Sequence, residues 1–139
     1  METKSLFEVV EKNRAAHISF FQELVRTQAQ GEGALNALIA ERFQEFGGTV
    51  EEVTFSPKDF MLGDEFAAAE TLRSKEGTNL VATLPGTGGG KSLILWAHSD
   101  LLRMPNALDW EHDPYAGDIV GNKIIGWGVA DDLGGIAVL

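Results

Sequence analysis

Two apolar segments of strand-forming residues, separated by a glycine-rich stretch, constrain the fold of this chain more than any other feature. The first segment is NLVATL at residues 79–84, and the second is SLILWAH at residues 92–98. Short apolar runs bounded by turn residues are typical of strands, and nearly continuous apolar character indicates strands covered on both faces. The sequence therefore predicts two neighbouring strands inside a layered fold.

Two other segments have the periodicity of amphipathic helices. From about residue 4 to residue 27, apolar residues recur at steps of three and four. The second helix is predicted over residues 35–46, where Gly47–Gly48 supplies its stop. A short helix is also expected in FAAAETLRS, residues 66–74, within a long charged connection.

Two further strand signals complete the pattern. TVEEVTF at residues 49–55 alternates as a strand does, and DIVGNKIIG at 118–126 predicts a hairpin that turns at Gly121–Asn122. Helices and strands without an internal repeat indicate an α/β or α+β layer fold. The apolar run at 136–139 ends without a capping glycine or a polar tail, so we expect the 139 residues to be the front of a longer protein.

Composition narrows the classes of function. With 21 acidic and 11 basic residues and a net charge of -10, the chain repels polyanions, which argues against nucleic acid or an anionic membrane as partner. The absence of cysteine excludes disulfides, thiol nucleophiles and thiolate metal sites, so that any metal must lie on histidine and carboxylate ligands. No segment resembles a signal peptide or a membrane span, and we expect a cytoplasmic protein.

The glycine-rich stretch partly matches a phosphate-binding loop of the form G-x-x-x-x-G-K-[S/T]. Gly90-Lys91-Ser92 fits its end, but Pro85 occupies the position of the first glycine and has no N–H to donate. The residues after Ser92 also carry no helical signal, whereas bound phosphate must meet a helix N-terminus. A glycine-rich hairpin turn is therefore the favoured interpretation.

A histidine and an aspartate follow the second apolar segment. In an extended chain, residues i and i+2 point the same way, so His98 and Asp100 can reach one site. Imidazole is a common zinc ligand, and a neighbouring carboxylate can fix its orientation. Such a short motif also arises often by chance, so that by itself it favours a purely structural role.

A pair of aspartates lies between glycines in GVADDLGG, just before an apolar helix. Asp131 and Asp132 suit a helix N-terminus, where carboxylates cap the helix and meet its dipole. A carboxylate at such a tight turn can also bridge two cations, and both interpretations stay open. The intervening WEHDPY, residues 110–115, is predicted to be a loop anchored by Trp110 and Pro114 rather than a second metal centre.

Taken together, NLVATLPG, LILWAHSD and DWEHDPYAGDIVGNKIIGWGVADDLGG resemble the co-catalytic zinc hydrolases that include acetylornithine deacetylase, succinyl-diaminopimelate desuccinylase, aminoacylase, carboxypeptidase G and the carnosinase-like dipeptidases. The resemblance is ordered over residues 79–139 and extends to FFQELVRT in the first helix. It implies the N-terminal part of an α/β catalytic domain with helices packed on a mixed β-sheet. It also implies two zinc ions, with Co²⁺ or Mn²⁺ as alternatives, and a smaller domain outside these residues through which a homodimer could form.

The resemblance assigns roles to individual residues. His98 matches the first zinc ligand, Asp131 matches the aspartate that bridges both ions, and Asp100 matches the catalytic aspartate that orients the histidine. Asp132 occupies a position that a cis peptide often joins to the bridging aspartate. Trp127 stands where an arginine is usual. Leu133 stands where a lysine is usual, and both departures concern the substrate more than the metal.

The implied activity is metal-dependent hydrolysis of amides in N-acyl amino acids or short peptides. The resemblance also places the general-base glutamate and the remaining ligands beyond Leu139, so we expect the 139 residues to be inactive by themselves. Two alternatives from other classes stay open. One is a non-catalytic binding or interaction module that retains half a metal site, and the other, ranked third, is a nucleotide-binding domain.

Overall fold

The structure is a computed structural model that describes residues 3–56, 76–101 and 104–139. The chain divides into two compact units. One comprises Met1–Leu38 together with Lys91–Leu139, and the other comprises Ile39–Gly90. The predicted short helix at 66–74 lies outside the described residues.

Both predicted long helices are present. Helix α1 spans Thr3–Thr27 and α2 spans Glu32–Glu45, with a single 3₁₀ turn at Gln28–Gln30 and Gly31 at φ 101° between them. The C-terminal half of α1 faces the core, since Leu24 and Val25 are fully buried. None of the helices in the described parts of the chain is long and apolar enough to cross a bilayer.

The second helix ends at the predicted glycines. The N–H of Gly47 donates to the Gln44 carbonyl at 2.9 Å, and that of Gly48 donates to the Phe43 carbonyl at 3.0 Å. Gly47 has φ 80°, the left-handed conformation in which helices commonly terminate. A Cβ atom at Gly48 would lie 2.9 Å from the Phe43 oxygen, so the chain can turn this closely only with glycine.

A two-stranded antiparallel sheet follows α2 in the second unit. Strand β1, Thr49–Phe55, pairs with β2, Gly77–Thr83, so that Thr49 lies opposite Thr83 and Phe55 lies opposite Gly77. Both strands were predicted from their residue pattern. The expectation that 79–84 would be covered on both faces is wrong, because burial alternates along β2 and Val81 remains 47% exposed.

The first unit contains the predicted hairpin and a short last helix. Strands β3, Asp118–Val120, and β4, Lys123–Ile125, pair around a turn that includes Gly121 at φ 63°. Helix α3, Gly134–Val138, packs against α1. The buried apolar side chains of this unit come from α1, α2 and the α3 region: Leu24, Val25, Leu35, Leu133 and Ile136.

The predicted strand at residues 92–98 is wrong. The described residues from 84 to 101 contain no helix or strand, and Leu93, Ile94 and Trp96 are 79%, 88% and 82% exposed. A strand needs a neighbour that accepts and donates its backbone hydrogen bonds, and no strand of the described residues pairs with this segment. The apolar pattern of residues 92–98 does not show whether a partner strand is present.

The α/β class is confirmed, with helices packed against small sheets. Both sheets in the described residues are two-stranded and antiparallel. The glycine-rich stretch bends at residues 88–90, where Gly88 and Gly89 have φ of 90° and 76°. It is a turn, as predicted, but it closes no hairpin, and no helix follows Ser92 to receive a phosphate.

Candidate metal centre

The structure brings together the three site residues that the sequence singled out. His98 Nε2 lies 2.9 Å from Asp131 Oδ1, although 33 positions separate the two residues in the chain. On the other side of the ring, His98 Nδ1 lies 3.1 Å from the backbone oxygen of Asp100 and 3.3 Å from its Oδ1. The imidazole is therefore held between two aspartates, one at each nitrogen.

This arrangement determines the proton affinity of the ring. Burial lowers the pKa of His98, but the hydrogen bonds to the Asp100 carbonyl and the Asp131 carboxylate outweigh it, and the charges of both aspartates act in the same direction. The net effect raises the pKa of His98 above its ordinary 6.5. Both aspartate side chains remain 81% exposed, so the site faces solvent.

The segment that carries His98 is held by polar contacts from elsewhere in the same unit. Ser99 donates its hydroxyl to Asn36 Oδ1 of α2 at 2.7 Å, and Asn36 is only 8% exposed. The backbone N–H of His98 points to Asp132 Oδ2 at 3.4 Å. These contacts place His98 without any pairing of the apolar residues before it.

The turn that carries Asp131 is built differently. Gly128, at φ 70°, opens it, and its carbonyl accepts the N–H of Asp131 at 3.2 Å and that of Leu133 at 3.0 Å. Leu133 is fully buried and anchors the turn in the core. The peptide bond between Asp131 and Asp132 is cis, as the resemblance implied.

The two aspartates do not cap the following helix. The residue before α3 is Leu133, and no side-chain hydrogen bond caps that helix. Asp132 instead lies over Gly135, where a Cβ atom would collide with the carboxylate. Both carboxylates instead contact His98, Asp131 at the ring and Asp132 at the backbone N–H, and the cation-bridging interpretation stays a prediction.

The donor set fits part of a zinc site. Zinc bonds to histidine nitrogen and carboxylate oxygen are about 2.0–2.2 Å long, so that two atoms 2.9 Å apart can bind one ion. With Nδ1 facing Asp100, Nε2 is the nitrogen left for metal. Within residues 3–56, 76–101 and 104–139, however, no three His, Asp or Glu side chains cluster closely enough to hold an ion. His98 and Asp131 thus offer two donor atoms, fewer than a zinc site needs.

The predicted loop at 110–115 packs beside this centre. Its two predicted anchors both contact Trp127: the ring of Trp110 meets the Trp127 ring edge-on at 6.2 Å, and the Pro114 carbonyl accepts the Trp127 N–H at 2.7 Å. Within the loop, Asp113 Oδ1 accepts the Tyr115 N–H at 2.8 Å. His112 Nδ1 lies 3.3 Å from Asp118 Oδ2, and among the described residues it is not one of the hydrogen-bonding partners of His98.

Sequence reasoning missed the polar side chains that hold the centre in place. Gln28 is 8% exposed and donates to the Trp127 carbonyl at 2.8 Å, while Gln22 donates to the Gly117 carbonyl at 2.7 Å. Asn36 beside the buried Leu35 is a third example. Amides among apolar helix residues were the available signal, but their partners lie too far along the chain for periodicity to identify.

Three known proteins that are similar to this chain carry the same enzyme name. Succinyl-diaminopimelate desuccinylase of Methylorubrum populi is 30% identical over 108 residues, covering 78% of this chain and 24% of the relative. The enzyme of the same name from Methylobacterium nodulans is 30% identical over 131 residues, covering 91% and 28%. That from Methylobacterium sp. strain 4-46 is 36% identical over 76 residues, covering 53% and 19%.

The chain spans about a quarter of the length of these relatives. No family model matches it, and no solved structure matches it. The relatives are hydrolases by name, and the matched residues include nearly the whole chain in one of them. This chain belongs to the deacylase family that includes succinyl-diaminopimelate desuccinylase.

Proposed function

We propose that the whole protein is a metal-dependent amidohydrolase that cleaves N-acyl amino acids or short peptides, with two zinc ions in its complete catalytic domain. His98 and Asp131 are metal ligands in this proposal, and Asp100 positions His98. The observation that supports it is the 2.9 Å approach of His98 Nε2 to Asp131 Oδ1 in a chain of the desuccinylase family. The absence of cysteine suits a cytoplasmic location, which we also propose.

Each of the three residues has a separate task in the reaction. The Asp100 carbonyl accepts a hydrogen bond from His98 Nδ1–H and its carboxylate lies beside the same nitrogen, which leaves Nε2 as the ligand atom. Asp131 offers an exposed carboxylate on a turn that the buried Leu133 anchors, so its negative charge can offset that of a cation. Bound zinc supplies acidity to water and polarises the scissile carbonyl.

The described residues alone are not expected to catalyse this reaction. A catalytic zinc normally has three protein ligands plus water, whereas His98 and Asp131 provide two. We propose that the remaining ligands and the general base belong to the part of the relatives that this chain does not span. Residues 1–139 should accordingly show no zinc-dependent turnover of an N-acetyl amino acid.

The decisive experiment compares two histidine substitutions in the whole protein. His98→Ala should reduce Zn²⁺ affinity by more than about 100-fold, because outer partners of a ligand alone contribute about 10–100-fold. His112→Ala is the matched control, since His112 contacts Asp118 and lies outside the centre. Affinity is measured by calorimetric titration with ZnCl₂. Full two-zinc occupancy in His98→Ala would rule out the assignment.

One observation favours a second candidate, a non-catalytic interaction module. The segment Leu93–Trp96 exposes apolar side chains that the described residues do not cover. A module of this kind would bind a partner there and hydrolyse nothing. Turnover of an N-acyl amino acid by the whole protein, abolished by His98→Ala, separates the enzyme from the module.

A further inference from the structure

Ser99, the residue between His98 and Asp100, connects the candidate metal centre to α2. Its hydroxyl donates to Asn36 Oδ1 at 2.7 Å, the usual length of a hydrogen bond between a hydroxyl group and an oxygen acceptor. The two residues are 63 positions apart in the chain. The segment that carries the candidate ligand is therefore attached to a helix that lies far from it in sequence.

The acceptor of this hydrogen bond is held in the core. Asn36 is only 8% exposed, and it follows the buried Leu35 near the start of α2. Both ends of the contact belong to one compact unit, which comprises Met1–Leu38 and Lys91–Leu139. A buried amide oxygen that loses its donor is unfavourable, because the folded chain has already removed it from water. Folding therefore favours the conformation in which Ser99 reaches Asn36.

The other polar contacts of this segment give His98 less independent support. The backbone N–H of His98 lies 3.4 Å from Asp132 Oδ2, which is long for a hydrogen bond. The His98 ring contacts Asp131 and Asp100, which belong to the candidate metal centre itself. A cation at the centre would attract these carboxylates. Asn36 carries no charge, so its contact depends on geometry alone.

Support at Ser99 matters because the preceding residues lack a described neighbour. Residues 93–96 are exposed, and no strand of the described residues pairs with them. Without the Ser99 hydrogen bond, the attachments of His98 would be those of the centre and of Leu101, which packs against Gly128. Binding groups need to be held within about 0.5 Å of their productive geometry. A ligand on a loosely attached segment does not meet that requirement.

We propose that Asn36 is a positioning residue of the candidate metal centre, which acts through Ser99 to hold His98 Nε2 beside Asp131. The proposal rests on the metal-dependent function proposed above and deepens it, because it assigns part of the metal affinity to a residue outside the donor set. Partners beyond the ligands typically contribute about 10–100-fold to metal affinity. Asn36 supplies this contribution by fixing the segment before the ion binds.

The test separates positioning from a purely structural role. Ser99→Ala leaves the buried Asn36 oxygen without this donor, so the midpoint of urea unfolding in EDTA should fall. Adding Asn36→Leu removes the unpaired amide, so the midpoint should recover. Zn²⁺ affinity of the whole protein, measured by calorimetric titration with ZnCl₂, should remain about 10–100-fold lower in Ser99→Ala, in Asn36→Leu and in their combination.

Two results of this titration would overturn the proposal. One is normal Zn²⁺ affinity in the double variant, because a purely structural contact is repaired once neither partner is left unpaired. The other is unchanged affinity in both single variants. Ser99→Thr keeps the hydroxyl donor and should keep normal affinity. A loss in Ser99→Thr as large as that in Ser99→Ala would also contradict the role of the hydrogen bond.

Ile136→Val is the matched control for stability. Ile136 is 7% exposed in α3, and its side chain is apolar, so that it forms no hydrogen bond with the His98 segment. The substitution leaves a small cavity and should lower the unfolding midpoint without changing Zn²⁺ affinity. An equal loss of affinity in Ile136→Val and Ser99→Ala would show that zinc binding follows overall stability, and it would overturn the proposal.

His98→Ala, titrated beside these variants, keeps the two proposals distinguishable. Zinc affinity that falls in His98→Ala but not in Asn36→Leu or Ser99→Ala refutes the positioning role alone. Zinc affinity that ignores His98→Ala refutes the proposed function, and the positioning role falls with it. Loss of affinity in all these variants, with the unfolding midpoint restored in the double variant, supports both.

Discussion

The two segments that meet at the candidate metal centre differ in how they are supported. Residues 126–133, which carry Asp131, begin at the buried Gly126 and end at the fully buried Leu133. Residues 93–98, which carry His98, expose most of their apolar surface, with Ile94 at 88%. Both segments are rich in apolar residues, so composition alone does not distinguish them.

The difference lies in where the partners of each segment are found. The Asp131 turn packs against α1 and α3, which are also described residues of its own unit. The His98 segment has polar partners at its end, namely Asn36 for Ser99 and Asp132 for its own N–H, but no neighbour for its apolar part among the described residues. A functional side chain can therefore be positioned locally while the segment before it is not.

The largest expected effect comes from a leucine-to-alanine substitution, which can be made in each of the two segments. Leu133→Ala should reduce the free energy of unfolding by about 2–5 kcal/mol, because it leaves a cavity in the core. Leu93→Ala should change it by less than about 0.5 kcal/mol, because Leu93 is 79% exposed. Urea unfolding of residues 1–139, followed by circular dichroism, measures both.

Similar losses of unfolding free energy in Leu133→Ala and Leu93→Ala would contradict the difference in support between the two segments. They would mean that Leu93 is covered in solution by a neighbour, such as another copy of the chain. Repeating the unfolding at several protein concentrations separates these cases, since a midpoint that depends on concentration indicates association.

A smaller effect concerns the glycine at which the two segments touch. Gly128→Ala places a methyl group against Leu101 at a position with φ 70°, and Gly121→Ala has a similar φ of 63° but open space around it. The left-handed conformation costs about 1–2 kcal/mol in both variants. Overpacking should add about 1–3 kcal/mol in Gly128→Ala alone.

The same unfolding assay compares these two variants. Equal destabilisation would mean that Leu101 moves away freely, which would leave the contacts of His98 with Asp131 and Asp132 as the connections between the two segments that the described residues show. A larger loss of unfolding free energy in Gly128→Ala than in Gly121→Ala would show that residues 126–133 also hold Leu101 in place.

The accuracy of the sequence predictions also differs between the elements that have described partners and the segment at 92–98 that has none. Periodicity identified α1, α2, β1 and the hairpin, because each of these elements finds its packing or pairing partner among the described residues. It failed at 92–98, where a strand depends on a neighbour elsewhere. The resemblance indicated His98, Asp100 and Asp131, but the supports of the site, Asn36 and Gln28, act over about 60–100 positions and leave no local signature.

The smallest expected effect is electrostatic, and it concerns the contact between the two segments. The pKa of His98 is raised in the folded chain, mainly through the Asp100 carbonyl and the Asp131 carboxylate working against burial. A raised folded-state pKa contributes stability that is fully present below the unfolded value of 6.5 and is lost as pH rises through the folded value. Solvent screens the exposed carboxylates, so the change should be modest and should shrink with salt.

Titration of the His98 ring protons by NMR in the metal-free chain measures this effect directly. Asp131→Asn should lower the pKa of His98, because it removes a charge and weakens the acceptor at Nε2. Asp113→Asn is the control, since Asp113 bonds to Tyr115 and not to His98. If Asp131→Asn left the titration unchanged, the 2.9 Å contact would not persist in solution, and the supported turn would no longer position the histidine of the exposed segment. A lowered pKa in Asp131→Asn, with Asp113→Asn unchanged, would show that the side-chain contact between the two segments persists in solution, beside the contacts of Asn36 and Asp132.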